Sequence, residues 1–423
     1  MNNETISIIK NIALNLSDLH EDSSVPLPDW DTLTLHSGLP GLALLYGELQ
    51  RIFPDEGWDE IGNKYLTRIV KGIEQQGGVP LSMFSGAAGI GLAAVCLSED
   101  FKYYRNFIGG INQIIANQLH IYTDQDISNG VRMQEYDVIE GLSGILNYLL
   151  LFQSDQSLRP VLESGLCFLV NLAVSDISVR GVCVPGWYVP SEYQFSELES
   201  QYYKNGNFNT SMSHGISGPL ALLSQAYMQG VIVPNHKKAI CRIMEFLKGC
   251  QISDEKRVFW KGQISFEEYK MRCLNEDNIV RRDAWCYGSP GICYAMALGA
   301  KVLEDNEMLH TIQGVFTDTM HDMKGIFSPT FCHGYAGLYA LVQAMQELTG
   351  QEYQEEKIIL KKIILSYYNK NKRYGFDNIE VEGTQLKEIQ STGLLTGAAG
   401  TCLALLSGEG GLDGMLWRKA FLL

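Results

Sequence analysis

The chain has 423 residues, 46% hydrophobic and 19% charged, a balance that fits a globular core and excludes a largely disordered chain. Its 48 acidic against 33 basic residues give a net charge of −15, which disfavours nucleic acid and anionic lipid surfaces and favours cationic partners. The length suits one large core or two ordinary ones, so it does not demand several domains.

Met1 to Leu16 has no basic start, long apolar stretch or small-residue cleavage site, so it does not read as a secretory signal. The longest apolar runs, such as Gly144 to Phe152, fall short of the roughly 20 residues that cross a bilayer. A cytoplasmic protein is expected, with most of its 10 cysteines reduced and buried.

Seven polar segments of helical period follow in order: Thr5 to Leu19, Asp59 to Gln75, Phe101 to Tyr122, Ser157 to Val174, Asn235 to Gln251, Lys301 to Met323 and Glu352 to Tyr368. Each precedes a Gly-x-x-Gly pair, namely Gly38/Gly41, Gly86/Gly89, Gly141/Gly144, Gly215/Gly218, Gly288/Gly291, Gly334/Gly337 and Gly397/Gly400. Glycine pairs at this spacing also arise by chance, as Gly408/Gly411 and Gly411/Gly414 illustrate. The seven differ because each opens a stretch of Ala, Leu, Ile, Tyr and Cys with almost no charge, such as Leu42 to Tyr46, Ile90 to Leu97 and Leu338 to Met345. Those stretches read as buried helices. One helical hairpin cannot bury its apolar member, but a closed ring of hairpins can, with the polar helices as an outer wall. The pattern therefore predicts an all-α protein, an α/α toroid of seven inner and seven outer helices.

Two intervals, Gly141 to Gly215 and Gly215 to Gly288, are too long for a hairpin alone. From Ser175 to Asn209 the helical period fails, and Val179 to Val184 and Gly186 to Val189 read as short strands bounded by Pro185 and Pro190. The expected organisation is a toroid over 1–174 and 210–423 with a small β-containing extension over 175–209. Arg257 to Arg281 reads as a charged loop with one helix around Ser265 to Arg272.

Two glycine turns depart from small, apolar composition. The fifth reads Arg282-Asp-Ala-Trp285-Cys286-Tyr287-Gly288 and the sixth Phe331-Cys332-His333-Gly334. Zinc takes thiolate and imidazole ligands, and three protein ligands with an open fourth position is the catalytic arrangement, which Cys286, Cys332 and His333 fit. A buried cysteine acting only as a small hydrophobe is the competing reading. Two thiolates and an imidazole cancel the ion's charge, which favours activation of a substrate thiol over hydrolysis by bound water. His214 occupies the corresponding place in the fourth repeat, and Tyr136, Asp137 and Glu140 precede Gly141 in the third. His214 suits proton transfer, with Asp137 to orient it, while Arg282, Trp285 and Tyr287 are candidates to hold substrate or donate to developing charge. Each of these also has a plain reading as a satisfied polar hub residue. His36, before the first pair, is left outside the site.

At these residues the sequence resembles the class I lanthipeptide cyclases, the LanC family, over essentially its whole length, and is similar to the nisin-type members. The motifs are Tyr136-Asp-Val-Ile-Glu-Gly-Leu-Ser-Gly144, Ser213-His-Gly215, Arg282-Asp-Ala-Trp-Cys-Tyr-Gly288 and Cys332-His-Gly334, in the family's order and without a departing position. The resemblance implies one Zn2+ on Cys286, Cys332 and His333, with His214 as general acid/base and Asp137, Arg282, Trp285 and Tyr287 around it. It implies lantibiotic biosynthesis: addition of peptide cysteine thiolates to dehydroalanine or dehydrobutyrine, giving thioether rings in a dehydrated precursor. It further implies a dehydratase and a peptide exporter as partners at the inner face of the membrane. Competing readings are a non-catalytic scaffold binding a thiol peptide or glutathione, a toroidal glycosidase, which needs paired carboxylates and no metal, and a prenyltransferase-like toroid, whose pattern has six hairpins and a carboxylate ligand.

Overall fold

The computed structural model describes residues 3–17, 30–254, 257–275, 281–409 and 414–423. In chain order its helices are α1 (Asn3–Ser17), α2 (Leu39–Ile52), α3 (Trp58–Gln76), α4 (Ala87–Cys96), α5 (Arg105–Gln118), α6 (His120–Thr123), α7 (Met133–Tyr136), α8 (Leu142–Leu149) and α9 (Arg159–Val174). There follow α10 (Glu197–Tyr202), α11 (Ser217–Met228), α12 (His236–Gly249), α13 (Phe266–Met271), α14 (Ser289–Leu303), α15 (Asn306–Asp322), α16 (Tyr335–Thr349), α17 (Gln354–Ser366) and α18 (Ala398–Ser407).

Composition decides which helices lie inside. In α4 nearly every residue is buried, as its Ala, Gly, Ile, Leu and Val sequence requires, whereas α3 buries one stripe, Trp58, Gly62, Tyr65, Leu66, Ile69 and Gly72, and leaves its other residues exposed or half-buried. The apolar helices close a ring: α2 packs on α4, α4 on α8, α8 on α11, α11 on α14, α14 on α16, α16 on α18 and α18 on α2. Around it, α1 lies on α18 and α2, α3 on α2, α5 on α4, α9 on α8, α12 on α11, α15 on α14 and α17 on α16. The seven inner and seven outer helices of the expected toroid are all present among the described residues.

The glycine pairs have a common geometric cause. The first glycine caps the inner helix in six repeats, while Ile216 caps α11. At the second, a Cβ would lie under 3.0 Å from a carbonyl oxygen of the preceding turn, that of Phe331 for Gly337 and of Leu394 for Gly400, with the same relation in all seven repeats. Each turn thus tucks beneath its own helix. The turns then join one another through backbone hydrogen bonds: Leu35 N–H to Phe84 C=O (2.8 Å), Phe84 to Ile139 (3.1 Å), Val138 to Ser213 (3.0 Å), Met212 to Cys286 (3.1 Å), Cys286 to Cys332 (3.3 Å), Cys332 to Leu395 (2.8 Å) and Leu395 to His36 (3.0 Å). This is a closed circuit around the hub.

The segment Leu416–Phe421, a 3₁₀ helix, plugs the ring against α4 and α8. Phe421 stacks on Phe331 with ring centroids 3.7 Å apart, and its carbonyl accepts from the Trp285 indole.

Among the described residues, four two-stranded antiparallel sheets decorate the toroid. β1 (Asp176–Val179) and β2 (Val182–Pro185) form a hairpin within the expected extension, but the run Val179 to Val184 is broken by a turn, with Arg180 at φ 50° and Gly181 at φ 76°. Gly186 to Val189 is not a strand: Trp187 is buried and Val189 makes only an isolated bridge to Asn207. β3 (Asn207–Asn209) pairs with β6 (Gln263–Ser265), and β4 (Gln251–Ser253) with β5 (Val258–Trp260). The charged 257–281 stretch is therefore partly strand and is stitched to the extension; within it, 276–280 lie outside the described residues. Its expected helix is α13, closed by a capping box of Ser265 and Glu268. The sequence reading did not foresee β7 (Asp377–Glu382) and β8 (Gln385–Gln390), a hairpin before α18.

Two outer helices are shorter than expected. The Phe101 to Tyr122 segment is helical from Arg105, and Lys301 to Leu303 belong to α14, which stops where Glu304 turns left-handed at φ 59°. Leu19, at the end of the first expected helix, lies outside the described residues. The cysteines are free, but Cys167, Cys183 and Cys273 are exposed and only Cys250, Cys286, Cys293 and Cys402 are fully buried, so the expectation that most are buried fails. The three exposed ones sit on α9, on β2 and in the loop after α13, where packing does not select against a small exposed thiol. Among the described residues no helix is long and apolar enough to cross a membrane.

Gly337→Ala should destabilise the protein by about 1–3 kcal/mol, because its methyl group meets backbone that cannot move without breaking the hub. Gly314→Ala, on an exposed stretch of α15 with open space around its Cβ, should stabilise by about 0.5–1 kcal/mol. Urea unfolding compares the two; equal effects would contradict the close-approach explanation.

Candidate active site

The Cys286–Cys332 backbone bond fastens the fifth turn to the sixth and so brings two thiols together that are remote in sequence. One donor atom each from Cys286, Cys332 and His333 lies within 4.8 Å of the others. The His333 Nε2 lies 2.8 Å from Glu380 Oε1, which leaves Nδ1 as the nitrogen facing the thiols. Charge is already shared in this cluster. The hydrogen bond from Cys332, reinforced by His333, holds Cys286 down at about 5 against the cost of its burial. The same Cys286 bond, with burial, pushes Cys332 well above the ordinary thiol range. Burial opposes charge on His333, yet Cys286 and Glu380 raise it above the usual imidazole value. Arg282, half-buried beside the cluster, adds positive charge that favours a thiolate on Cys332, and its guanidinium lies over the Phe327 ring at 5.4 Å.

A second pair lies in adjoining turns. His214 Nδ1 lies 2.7 Å from Asp137 Oδ2. Asp137 is fully buried, and its Oδ1 accepts from the backbone N–H of Glu140 and of Gly141, both at 2.7 Å. Three hydrogen bonds therefore fix the carboxylate, and Nε2 is the His214 nitrogen that the carboxylate leaves uncommitted. Met212 and Ser213 both donate to the Cys286 carbonyl, so the backbone just before His214 is bonded to the thiol-bearing turn. Tyr287 lies between the two groups: its ring centroid is 6.4 Å from that of His214, its hydroxyl accepts from Asn209 Nδ2 at 3.2 Å, and burial pushes its pKa up to about 12, keeping it a neutral donor. Glu140, whose carboxyl accepts from Ser85 at 2.6 Å, is pushed up by burial.

Trp285 does not join them. It is fully buried, donates to the Phe421 carbonyl at 3.1 Å and packs on Phe84 and Phe331, so it supports the plug beneath the site and cannot contact substrate. Sequence reasoning also missed three neighbours. Phe195, from the extension, sets its ring edge against His214 at 4.9 Å; Asn209 holds Tyr287; Glu380 reaches His333 from β7. Only Glu380 had a legible signal, because alternating residues on either side of Gly383-Thr384 are a hairpin pattern.

The family model described as lanthionine synthetase C-like protein matches residues 29–422. The chain belongs to that family. It is 29% identical over 400 residues, 93% of this chain and 90% of the relative, to the nisin biosynthesis protein NisC of Lactococcus lactis subsp. lactis. A solved structure of nisin cyclase superposes with a TM-score of 0.84 at 28% identity, covering 100% of this chain and 98% of that one. The toroid of this family member thus carries its Cys/Cys/His cluster, a possible metal site, and its His–Asp pair at one end of the ring.

Asp137→Ala should cost at least about 2 kcal/mol in urea unfolding, because it strands the buried N–H of Gly141 and the partly buried N–H of Glu140. His214→Asn, at a partly exposed side chain, should cost less than half as much. Similar losses would show that Asp137 has no anchoring role.

Proposed function

We propose that the chain is a zinc-dependent lanthipeptide cyclase, joining peptide cysteines to dehydroalanine or dehydrobutyrine within one dehydrated precursor. The observation that carries this reading is the convergence of the Cys286, Cys332 and His333 donors within 4.8 Å, on two bonded turns of which the first is bonded to the one that bears His214. Similarity to the proteins named nisin cyclase and NisC supports the choice of substrate class. Two soft thiol ligands and one imidazole fit zinc, with Cys286 already disposed toward thiolate. Bound there, zinc would make a substrate thiol acidic enough to react as thiolate at neutral pH.

The chain's own residues supply the rest. His214, oriented by Asp137, accepts the thiol proton through Nε2 and becomes the donor that the product needs. As the sulfur–carbon bond forms at the β-carbon, the double-bond electrons move to the α-carbon and its carbonyl, and His214 returns the proton to the α-carbon. No mass is lost. The Tyr287 hydroxyl and the Arg282 guanidinium are the donors available to the developing enolate oxygen, and Asp137 balances the charge of protonated His214. The net charge of −15 favours a cationic precursor, and a dehydratase and an exporter at the inner membrane face are the partners that the family resemblance implies.

A dehydrated precursor should lose free thiols at unchanged mass when treated with the zinc-loaded protein. His214→Asn should keep the metal and slow ring formation roughly 100-fold or more. Cys286→Ala, or removal of zinc by a chelator, should abolish both metal content and ring formation. Thiols that persist with an authentic precursor would favour a scaffold, and a fully loaded Cys286→Ala protein would overturn the ligand assignment.

A further inference from the structure

The hairpin β7–β8 grips the metal-binding turn from outside the repeat pattern. β8 is exposed along its whole length and β7 at its far end, whereas Asn378 and Ile379 are buried and Asp377 and Glu380 half-buried. Asn378 Oδ1 accepts from the hydroxyls of Ser328 (3.0 Å) and Thr330 (3.1 Å), and the Ile379 N–H donates to Ser328 Oγ (3.2 Å). Ser328 and Thr330 stand on the segment that runs directly into Cys332 and His333. From the other side of Asn378, its Nδ2 donates to Glu380 Oε1 at 2.8 Å, and that same oxygen lies 2.8 Å from His333 Nε2. Lys372 anchors the base of the hairpin by pairing with Asp377 (2.9 Å) and Glu388 (2.6 Å).

We propose that Glu380, held by Asn378, is a positioning residue that fixes the His333 ring with Nε2–H outward and its Nδ1 lone pair aimed between the two thiols. An imidazole that donates to a carboxylate is locked in one tautomer and orientation and becomes the more basic ligand, and loss of such a partner typically weakens metal binding about 10–100-fold. The hairpin thereby serves the metal site, which explains why it carries a buried asparagine. The inference deepens the proposed metal reading and rests on it.

The test measures zinc affinity by competition with a chromophoric chelator in the full-length protein. Glu380→Ala should bind zinc about 10–100-fold more weakly. Glu380→Gln, whose side-chain carbonyl still accepts from Nε2–H, should recover part of that loss and bind about 3–10-fold more weakly than the parent. Glu382→Gln, two residues along on the same hairpin and 71% exposed, should bind like the parent. The metal-free melting temperature of Glu380→Ala should fall by no more than a few degrees, since the buried Asn378 amide loses one acceptor, and its cobalt-loaded form should retain thiolate-to-metal absorption. Affinity within twofold of the parent in Glu380→Ala overturns the inference; should that variant not fold, the same result in Glu380→Gln does so. A parent protein that binds no zinc overturns the metal reading itself, whereas a parent that binds it, with Glu380 variants binding equally well, overturns only the role of Glu380.

Discussion

The structure depends on the circuit of backbone hydrogen bonds that ties each hub turn to the next, from Leu35 through Phe84, Ile139, Ser213, Cys286, Cys332 and Leu395 back to His36. Hairpins that met only through apolar side chains could slide along one another at little cost, because a surface of Ala, Leu and Ile has no preferred register. Directional bonds remove that freedom. They are possible because each second glycine lets a carbonyl of its own turn lie where a side chain would otherwise stand. The repeated glycine pair is thus a register device, and the plug formed by Leu416–Phe421 fills the space that the ring encloses.

The candidate site sits where the circuit presents non-repeating residues. Neighbouring turns supply Asp137, His214, Cys286 with Tyr287, and Cys332 with His333, so groups remote along the chain arrive side by side without any loop having to fold over them. Rigidity comes from the backbone, whereas fine orientation comes from partners. Asp137 is held by two N–H groups before it meets His214, and Glu380 is held by Asn378 before it meets His333. Both histidines therefore have one nitrogen committed to a carboxylate and the other left for chemistry. This symmetry of construction comes from unrelated elements, a hub turn in one case and an outlying hairpin in the other.

Much of this was legible in the sequence because a period of repeats leaves a trace in composition. Apolar stretches after glycine pairs gave the inner helices, and Cys286, Cys332, His333, His214 and Asp137 stood out by interrupting that plainness. Trp285 misled because it shares the fifth turn with Cys286; a turn fixes where residues begin, not which way each side chain points, and this one points down onto Phe421. The strands at Val179 to Val189 were misplaced because β-rich composition does not mark where Arg180 and Gly181 reverse the chain. Pairing of β3 with β6 joins two insertions through contacts that no local pattern encodes, and Phe195 reaches His214 by the same non-local route.

The central claim is that the hub brings two sulfurs and one imidazole nitrogen onto a single zinc ion. X-ray absorption at the zinc edge of the loaded protein reads this directly. The account predicts a shell of two sulfur neighbours at about 2.3 Å together with nitrogen or oxygen neighbours near 2.0–2.1 Å, with one sulfur lost from the shell in any residual metal site of Cys332→Ala. A shell of nitrogen and oxygen alone would contradict it.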